Sequence, residues 1–165
     1  MLLTAILAWL HVVSAMAWLG GGVMFGFVLT PGLRKLPPAV SGPFLIGIGP
    51  RVARFFQVVA GTTVLFGLLL LWNLGGAALL NPATTYGLEL TLGTATALVA
   101  FVIAEALAVP KTLKVISILR NAANSPGQPA PAELAVAMRT AGMFATLTVL
   151  LVILTSVFMV AAGFY

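Results

Sequence analysis

The distribution of charged residues divides this chain into long apolar segments. The three longest runs without a charged residue are 1–33, 55–88 and 140–165. The turn-like stretch NLGGAALLNPATTYG interrupts the second run, and Pro82 suits the first turn of a new helix. Apolar runs of this length, without alternation of apolar and polar positions, predict membrane-spanning helices and not barrel strands. We expect four spans, at residues 2–29, 52–78, 83–109 and 134–163.

Composition supports the same fold class. Hydrophobic residues make up 61% of the chain and charged residues 7%, with a mean hydropathy of +1.17, outside the range of soluble domains. We therefore expect one all-α membrane domain over residues 1–165, an up-down four-helix bundle with the N- and C-termini outside. Cysteine is absent, which excludes disulfides and thiolate metal sites.

All basic side chains fall between the first and second spans or between the third and fourth. They are Arg34, Lys35, Arg51, Arg54, Lys111, Lys114, Arg120 and Arg139. We expect the chain to lie in the plasma membrane of the cell. The positive-inside tendency then places segments 30–54 and 110–139 in the cytoplasm. The net charge of +5 is thereby explained by topology, so we expect the lipid bilayer as a partner and no nucleic acid.

The single histidine, His11, lies within the first span. Helical spacing puts it on one face with other small, polar or aromatic residues, and we expect this face to point inward. Its members are Thr4, Leu7, His11, Ser14, Ala15, Trp18, Gly22 and Phe25. An unpartnered imidazole at this depth costs about 2 kcal/mol or more, so the ring needs a partner.

Three kinds of partner are compatible with the sequence. A neutral His11 could hydrogen-bond to a threonine, a carbonyl or Glu89. Copper could bind His11 together with methionine. A haem iron could take His11 as an axial ligand, and Ser14, Trp18, Gly22 and Phe25 would then form the cofactor-binding wall.

The segments LHVVSAMAWLGGGVMFGFVLTPGLRKLPP and GPRVARFFQVVAGTTVLFGLLLLW resemble the first two helices of CopD-like membrane proteins, a set that distantly includes HemJ-like members. CopD-like proteins are associated with copper uptake. HemJ-like proteins bind haem b through a helix-one histidine, which maps onto His11, and oxidise protoporphyrinogen. They also use a lysine in the third helix. The third helix of this chain has no lysine before Lys111, at its cytoplasmic end.

Two acids lie within the third span. Glu105 continues a stripe with Gly87, Thr91, Thr94, Leu98 and Phe101, which indicates either a functional carboxyl facing the bundle interior or an ion pair with Arg51, Arg54 or Lys111. Glu89 is expected either to orient the His11 ring or to solvate a helix start. Arg51 and Arg54 also suit lipid phosphates, and less readily haem propionates.

These observations favour a membrane protein that binds haem b through His11 for electron transfer, redox chemistry or haem handling. A CopD-type copper transporter and a cofactor-free structural subunit are the alternatives. No catalytic residue is assigned, and both a homodimer and a membrane redox partner are compatible with the sequence.

Overall fold

The chain folds into four long helices. The computed structural model describes residues 1–125 and 132–164, and these contain helices and turns but no strand. Its helices are α1 (Leu2–Val23), α2 (Thr30–Arg34), α3 (Pro38–Leu74), α4 (Thr85–Ile103), α5 (Val109–Ala123) and α6 (Ala132–Ala162). A π-helical turn, Met24–Leu29, joins α1 to α2, and a second, Ala104–Ala108, joins α4 to α5. Four continuous stretches are long and apolar enough to cross a membrane: Leu2–Arg34, Ala39–Leu74, Thr85–Ala123 and Glu133–Ala162.

The helices extend further toward the basic residues than the charge pattern predicts. Only residues 35–37 lie between α2 and α3, so most of segment 30–54 is helical and not a loop. The first stretch has 33 residues, roughly 50 Å of helix, whereas the hydrocarbon core is about 30 Å thick. Charges mark where hydrocarbon ends, but backbone hydrogen bonding continues past that boundary. The proline-rich connector at residues 126–131 lies outside the described residues.

At the opposite end, a tight turn links α3 to α4, as the turn-like sequence predicts. Gly75 and Gly76 take positive φ values of 145° and 65°, which residues with a Cβ rarely adopt. Helix α4 begins at Thr85, two residues later than expected, because the Thr84 side chain caps it by accepting the Gly87 N–H at 3.1 Å.

Neighbouring long helices pack antiparallel. Asn73, near the end of α3, donates to the hydroxyl of Thr4, near the start of α1, at 2.8 Å. Gly21, near the end of α1, faces Phe55 and Phe56 in the first half of α3. In the second hairpin, Thr155 and Thr96 hydroxyls lie 3.0 Å apart. Gly22 packs against Val149 and Gly49 against Ile116, which joins the two hairpins. We call the end that carries α2, the first half of α3, α5 and the start of α6 the basic end.

The inward face predicted for the first helix is confirmed. Leu7, Trp18 and Gly22 are buried, whereas Trp9 and Met16 are 64% and 68% exposed. The stripe predicted for the third helix is confirmed in part. Gly87 is buried and Thr91, Thr94, Phe101 and Glu105 are half-buried, whereas Leu98 is 38% exposed. The other buried positions of this helix include Gly93, Ala100, Ala104 and Ala108. Small residues enter the core here because they allow close backbone approach.

Candidate functional site

His11 is bound by the backbone of the neighbouring helix. Its Nδ1 lies 2.8 Å from the Thr63 carbonyl oxygen, and because a carbonyl can only accept, Nδ1 carries the proton. The ring also fills the space beside Gly67, where an added Cβ would lie 2.8 Å from both Nδ1 and Cε1. The carbonyl partner is thus the one that the structure provides. Glu89 does not orient the ring, and its Oε2 is buried without a hydrogen-bond partner among the described residues.

A separate apolar cavity of about 220 Å³ lies between all four long helices in the basic half of the protein. Along the first helix its lining extends from Trp18 to Leu33, roughly 22 Å at the rise of an α-helix. Apart from the indole of Trp18, the polar side chains among the described lining residues are three threonines, Thr30, Thr112 and Thr148. Thr148 already donates to the Phe144 carbonyl at 2.9 Å, which leaves an almost wholly apolar interior.

The residues predicted to form one cofactor site are divided between these two places. Trp18, Gly22 and Phe25 line the cavity, whereas the lining, over the described residues, includes neither His11 nor Ser14. His11 precedes Trp18 by two helical turns, roughly 10 Å along the axis. Its ring is inserted between α1 and α3, so the arrangement does not fit a haem that needs His11 and the cavity together. Haem ligation by His11 stays a prediction.

Copper binding by His11 also stays a prediction. Within residues 1–125 and 132–164, no three His, Asp or Glu side chains form a group that could hold a metal ion. Met16 and Met143 are 68% and 57% exposed on the protein surface, and Met159 packs against Gly93.

Both π-helical turns line the cavity, and they repeat one local structure. The Thr30 N–H donates to the Phe25 carbonyl and the Val109 N–H to the Ala104 carbonyl, five residues back in each case. Proline follows each time, at positions 31 and 110, and has no N–H to continue either ladder. Such π-turns are frequent at functional sites. Both turns are followed in the sequence by a proline and then by basic residues. This common pattern could have predicted the repeat, but the expectations above did not use it.

Glu105 lies on the second π-turn and faces α3 beside the cavity. Gln57 Nε2 donates to its Oε2 at 3.0 Å, while its Oε1 is buried and has no partner in the described part of the chain. Of the two alternatives for Glu105, the ion pair with Arg51, Arg54 or Lys111 is not formed among the described residues. Arg51 donates instead to the Gly47 carbonyl at 2.9 Å, and Glu133 pairs with Lys114 at 3.7 Å. Glu105 accepts a hydrogen bond from an amide and not from a guanidinium because Gln57 is the α3 residue that lies next to it.

The Gln57–Glu105 contact can be measured by a double-mutant cycle. We expect the substitutions Gln57→Leu and Glu105→Leu to show a favourable coupling of about 0.5 to 2 kcal/mol in the free energy of unfolding. The single change Gln57→Leu leaves a carboxyl without its donor, whereas the double variant removes both polar groups. Unfolding in mixed detergent micelles gives the four values. If the effects of the two single substitutions on the free energy of unfolding are additive in the double variant, the contact between Gln57 and Glu105 is contradicted.

Comparison with known proteins gives no match: no family model, no curated protein and no solved structure matches this chain.

Proposed function

We propose that this protein is a four-span membrane protein that binds a long apolar chain, an acyl or isoprenoid tail, in the cavity of its basic half. The cavity itself is the observation that carries this proposal. It is lined by residues of all four long helices, extends along the helix axes and has almost entirely apolar side chains in its lining. Apolar cavities of about 150 Å³ stay free of water and bind apolar molecules, and this one is larger.

Access from the bilayer is available to such a chain. Among the lining residues, Phe44 is 39% exposed, and Thr30 and Ala145 are exposed too, so the cavity opens at the protein surface. Apolar residues surround the outside at the same level, with Val28 and Phe27 more than half exposed at 57% and 53%. These side chains suit contact with lipid. A tail in the adjoining bilayer can therefore enter without crossing a polar surface.

The orientation is part of the proposal. The antiparallel neighbours support an up-down bundle, and the eight basic residues support a cytoplasmic basic end with both termini outside. The tail would then come from the cytoplasmic leaflet of the membrane. Membership of the CopD-like family, with its haem or copper chemistry, stays a prediction from the resemblance alone.

Tryptophan fluorescence tests the proposal. Trp18 lines the cavity and is 4% exposed, whereas Trp9 and Trp72 are 64% and 81% exposed, so the variant Trp9→Phe/Trp72→Phe leaves one reporter inside the protein. In vesicles of phospholipid with brominated acyl chains, we expect strong quenching of Trp18, because bromine quenches at short range. The added variant Ala145→Phe should fill the cavity and reduce the quenching by about half or more.

The neighbouring variant Thr146→Phe is the matched control. Residue 146 is exposed on the same helix and does not line the cavity, so this change should leave the quenching unaltered. Absence of Trp18 quenching would contradict the proposal and favour a structural subunit without a ligand. Equal quenching in the Ala145→Phe and Thr146→Phe proteins would also contradict it, because the bromine would then act from the surrounding bilayer.

A further inference from the structure

Arg34 lies where the cavity ends at the basic end of the protein. It directly follows Leu33, a lining residue, and its Nη2 reaches within 3.4 Å of the position that a Cβ on Gly142 would occupy. Gly142 precedes the lining residue Ala145 by about one turn of α6. The exposed guanidinium therefore extends from the first long helix to the fourth, beside the last lining residues at the basic end.

The charge around this position is strongly positive. The basic end carries all eight basic residues of the chain and one acid, Glu133, which pairs with Lys114 at 3.7 Å. Of the other two acids, Glu105 lies beside the cavity and accepts from Gln57, and Glu89 is on α4 toward the opposite end. An anionic group at the mouth of the cavity would meet a cationic guanidinium and the hydroxyls of Thr30 and Thr112.

From this juxtaposition we infer that the ligand is an anionic amphiphile of the membrane, with its acyl chain in the cavity and its phosphate or carboxylate headgroup on Arg34. This inference rests on the proposed function, since it assumes that an apolar chain enters the cavity. Guanidinium groups bind phosphate and carboxylate oxygens through two parallel N–H donors. A zwitterionic headgroup offers the same phosphate oxygens, but its ammonium cation is repelled by the basic end, so the net charge of the lipid makes the difference. Arg34 would thus select which lipid tail occupies the site.

The same single-tryptophan protein distinguishes the two proposals. The probes are phosphatidylglycerol and phosphatidylcholine, each with brominated acyl chains, titrated at fixed total lipid into vesicles of unbrominated phosphatidylcholine. We expect phosphatidylglycerol to quench Trp18 at about fivefold lower mole fraction, the preference that one arginine at a membrane surface provides. Arg34→Gln should abolish this preference and leave quenching by phosphatidylcholine unchanged, which also shows that the cavity is intact.

Lys35→Gln is the control, because it removes one charge from the adjacent, exposed residue. It should retain the preference for phosphatidylglycerol, and Arg34→Lys should retain part of it. Equal quenching by both lipids in the unaltered protein would overturn the inference about the headgroup while the cavity proposal stands. Loss of the preference in both the Arg34→Gln and Lys35→Gln proteins would overturn the role of Arg34. If neither lipid quenches Trp18, the proposed function itself is contradicted.

Discussion

Replacing Gly87 by alanine should lower the free energy of unfolding by about 3 kcal/mol or more. A Cβ at this position would overlap the Asn81 carbonyl oxygen and lie 2.8 Å from the Asn81 nitrogen and carbonyl carbon. Backbone atoms cannot move aside as a flexible side chain can. The Asn81 carbonyl is also held in place, because it accepts from the Thr84 N–H at 3.2 Å and from the Thr84 hydroxyl at 3.1 Å.

The added methyl group would also disturb the cap of α4. Thr84 caps this helix through the Gly87 N–H, so moving residue 81 or 87 weakens the bond that starts the third long helix. Unfolding in mixed detergent micelles measures the loss. Gly20→Ala is the control, because an added Cβ there meets no atom within 4 Å, and it should change the stability by no more than about 0.5 kcal/mol. Equal stability of the two variants would contradict the close approach of the Asn81 backbone to Gly87.

Gly67→Ala should be nearly as damaging, with a loss of about 2 to 4 kcal/mol. The new Cβ would lie 2.8 Å from Nδ1 and Cε1 of His11, and the ring would have to leave the Thr63 carbonyl that it contacts at 2.8 Å. Gly61 provides a control on the same helix, since a Cβ there meets no atom within 4 Å. Gly61→Ala should therefore leave the stability almost unchanged.

The histidine can be removed to test the same contact from the other side. His11→Ala alone should cost about 1 to 2 kcal/mol, because a hydrogen bond and a packed ring are lost. In the Gly67→Ala protein the same change should restore stability, because the alanine methyl group then has space. A visible absorption spectrum of the purified protein bears on the haem prediction independently. A Soret band that disappears in His11→Ala would assign the ring to haem and contradict a purely structural role.

The contrast between His11 and Trp18 explains why the predicted cofactor site did not form one site. Both residues are on the inward face of the first helix, as their spacing predicts, and both are at least partly buried. Facing inward, however, does not specify the neighbour. At the level of His11 the first helix meets the backbone of α3 at Gly67, whereas Trp18 is buried in the core and lines one end of the cavity.

Glu105 shows the same limit for polar partners. Its position within an apolar helix identifies it as a carboxyl that needs a donor, and several arginines lie at a plausible depth in the sequence. Which donor it meets depends on the rotation and axial position of α3 relative to the second π-turn. That geometry presents Gln57 at 3.0 Å and leaves Arg51 bonded to its own helix.

The sequence by itself determined that this chain has four apolar helices, where the turn between the second and third lies, and which face of the first helix is buried. Hydropathy, proline and glycine positions and the helical period act over a few neighbouring residues, so they can be read locally. Only the tertiary structure decided that His11 binds a backbone carbonyl and that two π-turns flank an apolar cavity. It also placed the guanidinium of Arg34 beside Gly142 of the fourth long helix. These features depend on how four helices are rotated and shifted against one another, and the free energy of that packing is shared among residues far apart in the chain.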